Sequence, residues 1–445
     1  MTDALKTDPI LLEWCETLLA RGELEEAEKF AKALHESNEH ATRLLLARIL
    51  KANEKGEEAA ELLDRHLNAN IDEIGPEMFE ISQLYGSMIA SMGKWDAAED
   101  NLKHALKILP KGAGFERARE ITEYQLGSLY AARGKFKSAQ KFFDKGLVVN
   151  CGNDWKTSTK VVDFFAEDKL KKSHDDLDEI FSETLSKIQL KPEVELVYLV
   201  SGDIRYCRKF GLSLLRQIKA VTDKKIHLHI HGVSVGEQDA RSREPVWNKF
   251  RDDILSKDAS VSFSRRHIDK NNLSAAEKKS IYSFERYFIL PSILRKYELP
   301  VLVADIDQLP LRNPVELLEQ DFDVALLRFP NNILNILSVV SATLSLFRPS
   351  LQGRAAADSL RNYFVSTLQK RESLNWHVDQ AGLAVLDYKN DDAKIIHLSP
   401  ELVVTDPTKY HPEKAMEQGA WFWSVTNSIE GNAQKLDDFE EGKSI

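Results

Sequence analysis

The stretch Val301-Leu302-Val303-Ala304-Asp305-Ile306-Asp307 joins an apolar run to two carboxylates. A continuous apolar run of this length reads as a strand buried on both faces, and ligands in open α/β sheets collect beyond the carboxyl ends of such strands. With Ile306 between them, strand alternation puts Asp305 and Asp307 on one side for as long as the extended conformation lasts. Two hard oxygen donors on one side suit Mg2+ or Mn2+, and such a cation can neutralise a diphosphate. The plainer alternative is a strand that ends in a polar turn, because Gln308-Leu309-Pro310 follows.

Three further groups have side chains suited to the same chemistry. Ser201-Gly202-Asp203-Ile204-Arg205-Tyr206 follows an apolar strand. Its Gly permits a tight turn, and Asp203 and Tyr206 are able to hydrogen-bond and stack against a base. Tyr282, Glu285 and Arg286 stand on a helical stretch just ahead of the aspartate strand, and the planar fork of Arg286 matches a phosphate. For that Arg an exposed salt bridge is the ordinary alternative. In Asn375-Trp376-His377-Val378-Asp379-Gln380-Ala381-Gly382-Leu383 the polar pair Asp379-Gln380 interrupts an apolar segment, so it is either satisfied within the fold or faces a ligand.

The elements that must position these groups are bounded by composition. At 445 residues and 43% hydrophobic, the chain can bury a large core in two or three domains. A net charge of −10 argues against general nucleic-acid or anionic-membrane binding, which relies on basic surface. Cys15, Cys151 and Cys207 lie far apart and suggest neither a disulfide framework nor a zinc site. The N-terminus lacks a basic segment leading into an apolar core, and no run of about 18 apolar residues occurs, so the expectation is a cytoplasmic protein with no integral membrane segment.

Between residues 10 and 150 the apolar pattern is helical and one phrase recurs: Gly22-Glu23-Leu24-Glu25-Glu26-Ala27, Gly93-Lys94-Trp95-Asp96-Ala97-Ala98 and Gly134-Lys135-Phe136-Lys137-Ser138-Ala139. A degenerate copy, Asn53-Glu54-Lys55-Gly56-Glu57-Glu58-Ala59-Ala60, fills the gap after the first. Aligning Ala27, Ala60, Ala98 and Ala139 gives spacings of 33, 38 and 41. Small residues stand twelve before the later alanines, Gly86 and Gly127, and seven after, Ala105 and Gly146, where paired helices approach closely. This resembles a tetratricopeptide array of about four units, whose period is about 34. The resemblance implies an α-solenoid with a concave surface for a peptide or protein; a purely structural helical layer is the alternative. Trp14, Trp95, Phe136 and Phe142 are expected to pack in the core.

Residues 151–192 read as a charged helical linker closed by Pro192, which leaves 1–150 for the repeats and 193–445 for a second domain. There the pattern alternates. Strands are expected at 194–200, 225–230, 261–264, 299–304, 322–327, 339–347, 382–386 and 393–397, and helices at 210–221 and 281–297. Such alternation implies a mostly parallel sheet with helices on both faces.

In order, Ser201-Gly202-Asp203 with Tyr206, Ser283-Phe284-Glu285-Arg286-Tyr287, Val303-Ala304-Asp305-Ile306-Asp307 and Trp376-His377-Val378-Asp379-Gln380 resemble retaining glycosyltransferases of the GT-A fold, particularly family 8 and its relatives. The resemblance spans 194 to about 400 and implies an α plus α/β chain: tetratricopeptide-like solenoid, then a Rossmann-like nucleotide-sugar transferase domain. It implies that Asp305 and Asp307 hold Mn2+ or Mg2+ on the donor diphosphate, with Asp305 also among the donor-binding residues. Asp203 and Tyr206 would hold the nucleoside, Arg286 the diphosphate or sugar, and Asp379 with Gln380 would act at the reaction centre. The implied reaction moves a sugar from a nucleotide-diphosphate sugar to a protein or glycan acceptor that the repeats recruit. Two departures stand out. The family's third metal ligand, a His near the C-terminus, has no counterpart in Gly419-Ala420-Trp421-Phe422-Trp423-Ser424-Val425-Thr426-Asn427, with His397 and His411 the nearest histidines. Val340-Ser341-Ala342-Thr343 also differs from the usual Ala-Gly pair. The rival reading is a tetratricopeptide scaffold with a catalytically degenerate transferase domain; a nucleotide-sugar hydrolase is a third.

Overall fold

The computed structural model describes residues 9–34, 39–110, 112, 114–144, 148–150, 156–158, 190–222, 225–258, 261–270, 272–369, 377–389, 392–404 and 412–424. The chain forms two compact units, Met1–Leu147 with Pro330–Asn335, and Val148–Phe329 with Ile336–Ile445. Most of the expected charged linker lies outside the described residues. Within it, β2 (Lys156–Ser158) pairs antiparallel with β1 (Val148–Asn150).

The described part of the first unit is helical. Its helices are α1 (Pro9–Arg21), α2 (Leu24–Leu34), α3 (His40–Ala52), α4 (Gly56–Ala69), α5 (Pro76–Ser91), α6 (Trp95–Ile108), α7 (Glu116–Ala132) and α8 (Phe136–Phe143). Gly22, Gly93 and Gly134 end the first helix of their pairs at φ of 76°, 77° and 69°, where a side chain would be strained. In the degenerate copy Glu54 takes that left-handed turn at φ 62°. Gly56 therefore corresponds to Trp95 and Phe136, and the alanine equivalent to Ala98 is Ala59. With Ala59 in place of Ala60 the spacings become 32, 39 and 41. Ala27, Ala59, Ala98 and Ala139 are all fully buried.

Gly86 and Gly127 do mark close approach: a Cβ on Gly86 would lie 3.1 Å from Leu102 Cγ, and one on Gly127 2.9 Å from Phe142 Cβ. Gly146 lies outside the described residues. The aromatic expectation fails at Trp14, which is 43% exposed, while Phe143 rather than Phe142 fills the core. One polar joint recurs between pairs. Glu28, just after Ala27, accepts from Lys55 Nζ (2.7 Å) and Asn53 Nδ2 (2.6 Å), and Glu99, just after Ala98, accepts from Lys135 Nζ (3.1 Å). Hydrogen bonds from Lys32 and then Lys55 hold the Glu28 carboxyl down to about 2.

The second unit is built on β3 (Leu196–Gly202), α9 (Ile204–Val221), β4 (Ile226–Val235), α10 (Glu237–Lys257), β5 (Ser262–Ile268), α11 (Ala275–Tyr297), β6 (Val301–Asp305), β7 (Gln308–Pro310), β8 (Val324–Arg328), β9 (Val340–Phe347), α12 (Leu351–Gln369), α13 (Val378–Lys389) and β10 (Ile395–Leu398). Seven strands form one sheet in the order β10-β8-β9-β6-β3-β4-β5. Only β9 runs antiparallel to its neighbours, β6 and β8. A three-stranded sheet places β12 (Phe422–Ser424) between β11 (Val403–Val404) and β7.

Alternation along β4 shows why helices cover both faces. Leu228 and Ile230 belong to the apolar cluster that holds Trp247 and Phe250 of α10. His227, His229 and His231 point the other way, where His231 meets Glu285 of α11. The expected strand at 382–386 is the middle of α13. A short apolar run fits either element, and here tight packing decides: a Cβ on Gly382 would lie 2.7 Å from Phe364 and 2.8 Å from Tyr363, both on α12.

The three histidines are buried against Ser262 and Ser264 of β5. Burial pushes the His227 ring down to about 4, and burial, then the neighbouring His227 and His231, carry His229 well below its usual range. A group with a depressed folded pKa adds stability above its unfolded value, near 6.5 for His, and that stability is lost as pH falls through the folded value. The urea midpoint is therefore expected to hold above about pH 6.5 and to fall steadily towards pH 4. A flat profile across that window would contradict neutral burial of His227 and His229.

Candidate active site

The central strands end side by side. In the parallel pairing of β3 with β6, Ser201 is opposite Asp305, so Asp203 and the two aspartates come to one edge of the sheet. Apolar side chains fill β3 and β6 up to that edge, which leaves the polar residues to the turns beyond them.

Strand geometry stops at Asp305. Ile306 and Asp307 form a turn before β7, so simple alternation does not place the two carboxylates. They remain neighbours in the electrostatic sense. Both act on the Tyr198 hydroxyl, which is pushed well above its usual range by burial first and by Asp305 and Asp307 next. Both also support the charge of Lys279 on α11, whose ammonium is lowered by burial against their pull. Asp307 is only 4% exposed, whereas the Asp305 side chain is 35% exposed.

Arg286 joins the site from α11, a helix begun by a capping box between Ser274 and Glu277. Its Nη1 donates to Asp305 Oδ1, and its Nη2 donates to the Ala342 carbonyl at 2.7 Å and to Asp379 Oδ2 at 3.3 Å. The carbonyl is available because the β8 to β9 register jumps from Ser345 to Ser341 between Leu326 and Leu327. One cation thus serves two carboxylates. Burial opposes the Arg286 charge, yet Asp305, Tyr287 and Asp379 together more than offset it and the guanidinium is held more firmly protonated. Burial raises the Asp379 carboxyl; Arg286 pulls it back, and the like charge of Asp305 adds to the rise.

Asp379 and Gln380 open α13. Asp379 Oδ1 accepts from the Gln380 backbone N–H at 2.9 Å, and the Gln380 amide donates to His377 Nδ1 at 2.7 Å. Burial, then nearby Lys279, pushes His377 down to about 4. Asp203 caps α9: its Oδ1 accepts from the Tyr206 backbone N–H at 2.9 Å. Tyr206 is 40% exposed, with its ring edge-on to Phe210 at 5.0 Å.

The structure thus brings Arg286, Asp305 and Asp379 into contact, and places Asp307 and Gln380 around them with Lys279 and His377. Sequence reading did not single out Lys279. Its one signal was position, two helical turns before Arg286 on the same helix and hence near the same face.

For a divalent cation the donor set is Asp305 and Asp307, both hard oxygen ligands. Among the described residues no three His, Cys, Asp or Glu side chains gather in a metal-binding arrangement. His397 is bound to Asp387 at 2.7 Å on the outer strand β10, and His411 lies outside the described residues. The C-terminal segment does reach the site by another route, since β12 sets Ser424 opposite Gln308, next to Asp307. Two carboxylates fit a cation whose remaining ligands are diphosphate oxygens and water.

Fold and site together define a helical array joined to a mixed α/β sheet unit with an acidic edge where its central strands end. No family model and no curated protein matches the chain. Among solved structures it is similar to YrrB, described as a TPR protein with an unusual peptide-binding site: 18% identity, 30% of this chain and 63% of that one, TM-score 0.25. It is also similar to the glycosyltransferase GlyE of Streptococcus pneumoniae TIGR4, with 12% identity, 55% and 59% coverage and a TM-score of 0.34. A mutant O-GlcNAc transferase of Thermobaculum terrenum gives 14% identity, 65% and 44% coverage and a TM-score of 0.26. The chain therefore spans less than two thirds of each, and these likenesses are too distant to carry a function across.

No helix among the described residues is long and apolar enough to cross a membrane.

Proposed function

We propose that this chain is a metal-dependent glycosyltransferase of the GT-A kind, moving a sugar from a nucleotide-diphosphate sugar to a protein or glycan acceptor with retention, while the tetratricopeptide-like helices recruit that acceptor or a partner. The observation that carries the reading is the convergence of Asp305, Arg286 and Asp379 at the ends of the central strands. Ligands bind at that edge of an open α/β sheet.

Asp305 and Asp307 would hold Mn2+ or Mg2+, which when bound supplies Lewis-acid stabilisation of the departing diphosphate. Lys279, half-buried and within electrostatic range of both carboxylates, is suited to offset part of the same developing charge. Arg286 is 2% exposed and both of its Nη atoms are engaged within the fold, so we assign it to positioning: it holds Asp305 and Asp379 in register. Asp379 and the Gln380 carbonyl would then face positive charge that develops at the anomeric carbon. Asp203 and Tyr206 would flank the nucleoside.

A second reading, a repeat scaffold with a degenerate transferase domain, is favoured by the two-carboxylate donor set and by the engagement of both Arg286 Nη atoms within the fold. Calorimetry with a panel of nucleotide-diphosphate sugars, in Mn2+ and then in chelator, separates the two. Metal-dependent binding of one donor is the expected outcome, and silence across the panel shifts the assignment to the scaffold.

A further inference from the structure

A polar chain runs through the buried face of the sheet unit and ends one residue from Arg286. His227 Nε2 lies 2.6 Å from Ser262 Oγ, and Ser262 Oγ lies 2.6 Å from His229 Nδ1. His229 Nε2 is 2.8 Å from Ser264 Oγ, which is 2.7 Å from His231 Nδ1. His231 Nε2 reaches Glu285 Oε2 at 3.4 Å, and Arg266 Nη1 donates to Glu285 Oε1 at 2.7 Å. All three rings, both hydroxyls and Glu285 are buried. The spacing is a product of the pleat: every second residue of β4 and of β5 shares this face, and His229 is opposite Ser262 and His231 opposite Ser264.

Donor and acceptor rules give such a chain one direction. Glu285, ion-paired with Arg266, accepts only, so His231 must present Nε2–H to it. A neutral ring then has a bare Nδ1, and Ser264 must donate there. The single proton of Ser264 is now spent, so its oxygen accepts from Nε2–H of His229. The same step repeats through Ser262 to His227. One carboxylate at the end therefore fixes the proton position on three rings, and no member is left frustrated.

We infer that Glu285 is a positioning residue: it templates a one-way hydrogen-bond chain that holds His231, His229 and His227 as neutral Nε2–H tautomers and pins α11 to β4 and β5. Glu285 and Arg286 are consecutive, about 100° apart around the helix. Fixing one on the sheet fixes the other towards Asp305 and Asp379. The inference stands on this geometry and does not depend on which ligand the site binds.

The test is nitrogen-15 NMR of the histidine rings in the full chain at pH 7.5, assigned by single His→Gln variants. Three buried rings with Nε2–H and bare Nδ1 are expected; an Nδ1–H ring or an imidazolium among them overturns the inference. In Glu285→Gln, Arg266 keeps the amide oxygen on its side and turns the NH2 towards His231. The direction then reverses, and both His231 and His229 are expected to switch to Nδ1–H. A change confined to His231 would show local contact without an ordered chain and would overturn the proposal. Adding Ser264→Ala to Glu285→Gln is expected to release His229 from the switch while His231 keeps it. If Glu285→Gln fails to fold, the wild-type tautomers alone decide.

Discussion

Asp307→Asn is expected to remove Mn2+-dependent binding of a nucleotide sugar while leaving thermal unfolding nearly unchanged. The substitution keeps the shape and one acceptor oxygen, replaces the other oxygen by an NH2 donor, and takes a formal charge from a two-carboxylate set. Even loss of an outer-shell partner lowers metal affinity by roughly 10–100-fold, so loss of a direct ligand should weaken donor binding at least that much. Asn is the right replacement because Asp307 is buried. Ala would leave a cavity and an unsatisfied neighbour, and a folding defect would then imitate a binding defect. Calorimetry in Mn2+ gives the readout, with the unfolding temperature as control. Unchanged donor affinity would remove Asp307 from the metal site.

The second large effect is on stability. Arg286→Lys keeps the charge but not the fork that reaches Asp305, Ala342 and Asp379 together. Breaking a buried ion pair from one side costs about 3–5 kcal/mol, and here the Asp379 charge would remain buried. At about 2–4 °C per kcal/mol for a domain of this size, even the low end lowers the unfolding temperature by roughly 6–12 °C. Arg286→Met should cost more, and adding Asp379→Asn should recover part of the loss by removing one stranded charge. Differential scanning calorimetry makes the comparison. A shift under about 2 °C for Arg286→Lys would mean that the site relaxes around Lys and that the fork is dispensable.

What the chain revealed before folding was uneven, for physical reasons. Strands β3 and β6 were legible because full burial on both faces demands continuous apolar runs, and the repeats because Gly22, Gly93 and Gly134 must turn left-handed. The degenerate copy misled by one residue, since Glu54 makes that turn without announcing it. Segment 382–386 misled because a short apolar run carries no period, and its helical state is set by Tyr363 and Phe364 pressing on Gly382. At the site, the types and order of Asp305, Arg286 and Asp379 were readable, but their mutual pairing was not. That pairing joins residues 19 and 93 positions apart, and the third partner, the Ala342 carbonyl, is exposed by a register jump in β9 that no local pattern encodes. The histidine chain did carry a signal, strict alternation of His227, His229 and His231, which reads as an ordinary strand until Ser262 and Ser264 are seen beside it.

The guanidinium of Arg286 meets partners 19, 56 and 93 positions away along the chain. Closing loops of increasing length costs progressively more entropy, about 0.6 kcal/mol for each doubling. Non-local contacts of this kind are also the slow steps of folding. Asp305 can be reached as soon as α11 and β6 meet, but Asp379 arrives only after β9, α12 and α13 have docked. Until then the site has a cation with one anion and an unfilled donor, so an intermediate would bind a nucleotide poorly. Ligand competence should therefore appear in the last kinetic phase of refolding, after most of the helical signal has returned.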